Sequence, residues 1–395
     1  MKEAKIITPD CEIMDPSIWE NLPPEIIHSL IARLPTKSLC RFKSVSTSWN
    51  SLISSSDFAK THLHITNNTP NRPQKTLLIS LYHKFYSIDF ATASPTAEEP
   101  SPTAEELDFD LCKGQFRDQL HCWGSCNGLF LAFDRCCNLF LLNPSTRECK
   151  ELPDSPLVEP GYHNDLHFCV SGLGYDSSTD DYKVVMLLSR DTANTLASAP
   201  PAYVTNAAVY SLKTNAWRRI QDPRYNHKGY VNGVWFDERL HWLCWRNGFC
   251  GVLALDLWDE TFRVLDLHPS FDYYRGGYNY RMVSGSCLCL VVWPFEGDID
   301  VWMMMKYGVR ESWAKLTIAL GMSLEYVSYL AAEEKFVLRM IEKVNGVGVQ
   351  PPGRDKLVVY NLQNGTLRDM VVCGIPTEYL VGGNYIETLV SPNHG

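Results

Sequence analysis

Several sulfur- and imidazole-bearing residues stand close enough in this chain to raise metal or redox chemistry. His121, Cys122 and Cys126 are near neighbours, Cys136 adjoins Cys137, and Cys287 and Cys289 are separated by one residue. His163 and His167 lie in a segment with Gly, Asn and Asp. Zinc asks for paired CxxC-type spacings or an HExxH helix, and the chain has neither. In a strand-rich sequence these side chains are expected to point to opposite faces or into a core. A phosphate cradle is not legible either. Gly346-x-Gly348, near Gly353, lacks the Lys and the following helix of a GxxxxGK[ST] loop, and reads as a turn. No nucleophile is identifiable with its base. The expectation is a protein without catalytic residues, metal or cofactor.

At 395 residues two or three domains are expected. With 36 basic against 45 acidic residues the net charge is −9, which argues against a nucleic-acid partner. Met1–Asp10 has no apolar stretch of a secretory signal, and no run of about 18 apolar residues offers a membrane span. An intracellular location, in cytoplasm and nucleus, is therefore expected. The 14 cysteines then read mostly as buried thiols.

The texture changes along the chain. A polar tail (1–17) precedes helical periodicity at 18–64, and from 75 to 392 the sequence is strand and turn. Between 91 and 106 lies ATASPTAEEPSPTAEE, which lacks large apolar residues and reads as an acidic loop inserted between strands. In the helical part Pro23 and Pro24 open a helix with Glu25 at its positive end. Ile26, Ile27, Leu30, Ile31 and Leu34 recur on one face until Pro35, after which Thr36 is placed to cap the next helix. Leu39, Phe42, Val45, Trp49 and Leu52 follow at helical spacing, with a division expected near Thr47 and Ser48. Arg33, Lys37, Arg41 and Lys43 add positive charge with no acid among them. So short a unit cannot bury this many large apolar side chains alone. It must dock on the rest of the chain or on a partner, and the basic cluster favours an acidic one.

Leu22-Pro23-Pro24-Glu25-Ile26-Ile27, Arg33-Leu34-Pro35-Thr36-Lys37-Ser38-Leu39, Arg41-Phe42-Lys43-Ser44-Val45-Ser46 and Ser48-Trp49 resemble a complete F-box. The resemblance implies binding to the acidic adaptor of SCF-type ubiquitin ligases and, through it, to cullin and RING subunits. By motif position Leu22, Pro23, Ile27, Leu30, Leu34, Pro35, Leu39, Phe42, Val45 and Trp49 would form or support that contact.

Downstream a unit recurs: an apolar strand, a turn, then a Thr- or aromatic-containing strand. Copies are Phe140–Pro153, Ala208–Ile220, Leu253–Leu267, Leu357–Val372, a divergent Ile299–Ile318, and a truncated Phe85–Phe90. Asn143, Ser211, Asp256 and Asn361 occupy the reversal points. Further strand pairs fit between the copies, which gives four strands per unit and about six blades of a propeller. A final strand, Tyr385–Ser391, is expected to close the ring. The fold class expected is a small all-α F-box followed by an all-β propeller of about six blades. Cys126–Phe133, Leu141–Cys149, Gly172–Val185 and Trp302–Leu316 resemble the plant F-box-associated domain of the F-box/kelch-type family, whose members include S-locus F-box-like proteins. Kelch diglycines are sparse: Gly276-Gly277 and Gly382-Gly383 are read as lying in loops.

The resemblance implies a substrate receptor that holds a target protein on the propeller for ubiquitination and degradation. A non-degradative interaction scaffold is the alternative, and a propeller enzyme a third. The identity of the target is not written in the sequence. Phe271–Arg281 is rich in aromatics, and Tyr273, Tyr274, Arg275, Tyr278 and Tyr280 are the candidate target-binding residues.

Overall fold

A computed structural model of the chain describes residues 23–69, 74–80, 84–89, 103–109, 120–134, 138–158, 169–191, 203–223, 232–246, 249–273, 278–294, 297–320, 323–330, 334–341, 355–370, 372–374 and 379–393. It begins with four helices: α1 Pro24–Ile31, α2 Thr36–Phe42, α3 Thr47–Ile53 and α4 Ser56–Asn67. Pro23 and Pro24 start α1, where a missing N–H costs nothing, and Glu25 sits in its first turn. Thr36 does not cap α2: Pro35 occupies the N-cap position without a side-chain hydrogen bond, and Thr36, the first helical residue, is buried. The break between α2 and α3 falls at 43–46, where Ser46 Oγ accepts from Trp49 N at 3.2 Å. Ser55 Oγ likewise accepts from Phe58 N to cap α4, which runs slightly past the expected boundary.

The rest is a six-bladed propeller of four-stranded antiparallel sheets. Blade I contains β1 Lys75–Ser80, β2 Phe85–Asp89 and β3 Glu105–Leu107. Blade II is β4 His121–Cys126, β5 Leu129–Phe133, β6 Leu139–Asn143 and β7 Glu148–Glu151. Blade III is β8 Cys169–Asp176, β9 Asp181–Asp191, β10 Tyr203–Ser211 and β11 Ala216–Arg219. Blade IV is β12 Val234–Phe236, β13 Arg239–Arg246, β14 Phe249–Asp256 and β15 Phe262–Asp266. Blade V is β16 Tyr278–Ser284, β17 Leu288–Pro294, β18 Ile299–Met304 and β19 Trp313–Ile318. Blade VI is β20 Ser323–Leu330, β21 Lys335–Ile341, β22 Asp355–Asn361 and β23 Thr366–Met370. The last strand, β24 Tyr379–Tyr385, returns to blade I and pairs with β1 as its inner strand, closing the ring. The closing strand thus ends at Tyr385, where the sequence places its start, and the segment after it to Ser391 is not strand. Gly382 and Gly383 belong to this strand rather than to a loop, at a register shift opposite Leu77 and Leu78.

Each seam between neighbouring blades carries its own apolar cluster. Between blades III and IV, for instance, Val185, Leu187 and Val209 meet Leu240, Trp242, Leu253 and Leu255. Trp242 is fully buried there, and a Cβ on Gly233 would lie 2.6 Å from its indole nitrogen, so the residue just before the inner strand is glycine where the indole needs space. The recurring sequence unit is the outer hairpin of a blade, and its turn residues hold the reversal by local bonds. Asn143 Oδ1 accepts from Ser145 N at 2.8 Å, Asp256 Oδ1 from Trp258 N at 3.0 Å, Asn361 Oδ1 from Gln363 N at 2.8 Å, and Ser211 Oγ from Thr214 N at 3.1 Å. Four residues on, each turn reaches positive φ, at Arg147, Glu260, Gly365 and Asn215.

Strand alternation sorts the connections onto two faces. Turns between first and second strands, and between third and fourth, share one face and are short, as at 127–128, 144–147, 177–180 and 237–238. This is the turn face. Connections between second and third strands, and from blade to blade, emerge on the loop face. They include the long links across 108–120, 152–168, 192–202, 220–233 and 342–354. The acidic stretch is the exception, joining β2 to β3 on the turn face. It is shorter than its sequence suggests: Glu105 and Glu106 pair with Ser87 and Tyr86 in β3, and Thr103 bridges Cys373. Its remainder lies outside the described residues. Deleting Ala93–Ser101 with a short Gly/Ser join should therefore shift the melting temperature by no more than a few degrees, since loop length enters stability slowly. A drop of ten degrees or more on calorimetry would show that the segment is packed.

Candidate functional site

The helices divide their apolar residues between two duties. Ile31, Ala32, Leu39, Ile53, Phe58 and Ala59 form a core, closed from outside the helices by Leu389 of the C-terminal segment. Phe42 meets Trp49 edge-on at 5.6 Å, and His28 meets Phe58 at 5.0 Å, around the rim of that core. Other apolar residues remain in water. Ile26 and Leu30, one turn apart on α1, are 47% and 48% exposed, and Val45 in the α2–α3 link is 67% exposed. Half of the large apolar side chains exposed among the described residues thus lie in this short module, which marks it as a contact surface.

The site residues expected from sequence fall into three groups. Pro23, Leu30, Pro35 and Val45 are exposed and available. Ile27, Leu34, Phe42 and Trp49 are half-buried and brace them. Leu39 is fully buried beneath the surface, so its role is support from within. Leu22 lies outside the described residues. Ile26, which motif position does not single out, stands one turn before Leu30 on the same face and is as exposed. The basic cluster also divides. Lys37 is committed to its own propeller, 3.2 Å from Glu105, which Arg147 reaches at 3.5 Å. Arg33, Arg41 and Lys43 have no acidic partner among the described residues, and keep their charge for an outside surface.

The module sits on the turn face. Lys60 of α4 pairs with Asp180 in the β8–β9 turn, and Tyr175 donates to the same carboxylate at 2.6 Å. Cys40 Sγ lies 3.9 Å from the Ser145 carbonyl, and burial pushes that thiol's pKa up, so a neutral thiol fills the seam. Leu63 of α4 joins the cluster between blades II and III, together with Val390. The chain after β24 fixes the arrangement. Asn143 Nδ2 donates to the carbonyls of Thr388 (3.2 Å) and Val390 (2.6 Å), and Thr388 Oγ1 donates to the Asn127 carbonyl at 2.9 Å. Gly128, at φ 84°, leaves the space that Thr388 needs: a Cβ there would lie 2.5 Å from Oγ1. The question of docking on the chain or on a partner thus has a double answer. One side of the module is spent on the propeller, and the other is free.

On the loop face, Tyr273 ends a 3-10 turn, Pro269–Tyr273, and Tyr278 begins β16. The β15–β16 connection therefore belongs to the face away from the helices. Tyr274 and Arg275 lie outside the described residues. Tyr280 is half-buried, its ring 6.1 Å from that of the buried Phe271. It reads as an inner-strand residue more than a rim residue.

The early chemical candidates separate. Cys287 and Cys289 face the same side, with sulfurs 3.6 Å apart. His121 stacks on Phe133 at 5.2 Å, and burial drives the Cys126 thiol well above its usual range. Among the described residues no group of three His, Cys, Asp or Glu side chains is placed to hold a metal. Cys149 is disulfide-bonded, and the nine other described cysteines are free thiols.

Comparison with known proteins adds two family matches. Residues 19–61 match the F-box domain, and residues 76–391 match the F-box associated beta propeller domain. The chain is 28% identical over 383 residues to the F-box protein CPR1 of Arabidopsis thaliana, covering 91% of this chain and 86% of that protein. It is 27% identical over 397 residues to an F-box/kelch-repeat protein of the same plant, covering 94% and 96%. Among solved structures, TolB from Acinetobacter baumannii aligns with a TM-score of 0.44 and 9% identity over 80% of this chain and 70% of that one.

Proposed function

The chain belongs to the F-box proteins that carry an F-box-associated β-propeller, and from that membership we propose that it is the substrate-recognition subunit of an SCF-type ubiquitin ligase. The acidic adaptor docks on the exposed face of the helical module, with Ile26, Leu30 and Val45 at the contact and Arg33 and Arg41 steering its approach. A target protein is held on the loop face, ubiquitinated and degraded. The observation that carries this reading is the opposed placement of the two surfaces. The free apolar face stands on a module seated firmly on the turn face, and the long connections emerge on the other side. A rigid bridge between two binding surfaces supplies proximity, which is what transfer from a charged conjugating enzyme to a target lysine requires. The chain then contributes orientation and specificity and performs no bond chemistry itself.

The test is proximity labelling with a chain lacking the helical module, which should trap targets. Reconstitution of the full chain with adaptor, cullin and RING subunits should then ubiquitinate a trapped protein. A trapped protein that stays unmodified and equally abundant whether or not the chain is present would favour the non-degradative scaffold. Changing Tyr273, Tyr274 and Arg275 to Ala is expected to reduce target capture at least tenfold, about 1.4 kcal/mol, with adaptor co-purification unchanged. Undiminished capture by that variant would remove this connection from the target site.

A further inference from the structure

Inside the ring the inner strands enclose a cavity of about 570 Å³, in the range of sites for small molecules. Its wall carries Gly124, Gly233, Gly382 and Gly383, so the backbone itself forms much of the surface. Two charged side chains contribute to the described lining, Asp237 and Arg281. Asp237 stands in the β12–β13 turn at the rim, largely exposed, and is engaged by Arg239 at 2.9 Å. Arg281 lies on the inner strand β16 and reaches across the blade boundary. Its guanidinium carbon is 3.9 Å from the ring centroid of Tyr326, a residue of β20 that is only 8% exposed.

The consequences follow from the chemistry of the guanidinium. Stacking on an aromatic face orients the group and shields one side of it from water. The planar fork of N–H donors has a geometry that matches carboxylate and phosphate oxygens, and the contact with Tyr326, hydroxyl included, occupies only part of it. No acidic side chain pairs with Arg281 among the described residues, so the charge inside the cavity is not neutralised by the wall there. Ser328 Oγ donates to Asn384 Oδ1 at 3.2 Å and Asn232 Nδ2 donates to the Cys122 carbonyl at 3.1 Å, so the polar groups of that wall are held in place by one another and Arg281 is its cationic donor.

We propose that this cavity binds a small anionic molecule carrying a carboxylate or phosphate group, with Arg281 as its anchor. The position of the cavity argues for a small molecule over an inserted side chain of a target. Asn67 at the end of α4, Gln74, Asn127 and Ile386 line the cavity on the turn face, beneath the helical module and away from the long connections. The ligand would therefore sit at the junction between module and propeller, in addition to the adaptor and target surfaces.

Isothermal titration of the full chain co-purified with its adaptor, using inorganic pyrophosphate and citrate as separate probes, tests this. One saturable site is expected for at least one probe, and Arg281→Gln should weaken it about tenfold or more, which is the loss of one anchoring charge-assisted contact. If Arg281→Gln does not fold, hydrogen exchange on the unaltered chain decides: the bound probe should protect β16 and β20 and leave the outer strands unchanged. Saturable binding of neither probe, equal affinity in Arg281→Gln, or protection confined to outer strands would each overturn the assignment. A target-derived acidic peptide that binds through Arg281 where both probes fail would assign the charge to target recognition instead.

Discussion

Replacing Ile26 and Leu30 together with Glu is expected to eliminate adaptor co-purification while the propeller keeps its melting temperature. Both side chains are about half exposed in the free chain, so the change removes little from the module's own core. In the complex the remaining apolar area would be buried, and a Leu or Ile is worth roughly 1.5–3 kcal/mol when fully covered. Half of that for each residue, plus two carboxylates brought against an acidic partner and stripped of water, sums to about 3–4 kcal/mol, or several hundredfold in affinity. Leu39→Ala is the instructive contrast. Leu39 is fully buried among Ile31, Ile53 and Phe58, so its truncation should cost about 2–5 kcal/mol of module stability. It should therefore weaken adaptor binding only through unfolding. Pull-down yield set against the thermal transition separates the two. Full-yield capture of the adaptor by the Ile26/Leu30 double variant would mean that the adaptor uses another surface.

What was legible in the sequence is what local chemistry decides. Asn143, Ser211, Asp256 and Asn361 stood out as reversal points, and each holds its turn by a bond to a backbone N–H two or three residues ahead. A bond of that span is written in neighbouring residues, so the outer hairpins and the number of blades could be read. The inner strand pairs that open at Gly172 and Gly233 could be placed as well, but not the reason for glycine there. It lies in Trp242, which reaches Gly172 from the neighbouring blade and crowds Gly233 within its own. The helical face shows the same limit. Leu30 and Leu39 have the same residue type and both fit helical periodicity, yet one is exposed and the other fully buried. Periodicity finds the apolar stripe. Which part of it the chain covers depends on Leu389, more than 300 residues away. Lys37 likewise reads as a free charge until Glu105 is folded against it.

Changing Leu389 to Asp should loosen the helical module while leaving the propeller closed. The two functions of the C-terminal segment are separable because ring closure ends at Tyr385, the last residue of β24, and the contact with the helices begins beyond it. Leu389 is 4% exposed and, among the described residues, the only propeller-side residue in the core of the helices. Removing its packing costs about 2–5 kcal/mol, and placing a carboxylate there adds the cost of an unpaired buried charge. Together these exceed what so small a module can hold in reserve. Asn143→Ala should act in the same direction more mildly. It leaves the Thr388 and Val390 carbonyls without their donor, at roughly 1–3 kcal/mol. Hydrogen exchange by mass spectrometry is the measurement. Amides of α2 to α4 should lose most of their protection in Leu389→Asp, while β1 and β24 keep theirs, and adaptor should restore protection to the helices only in part. Retained protection of α2 to α4 would show that the helices hold together without the tail. Loss of protection in β24 would show that the segment serves ring closure first and the seating of the module second.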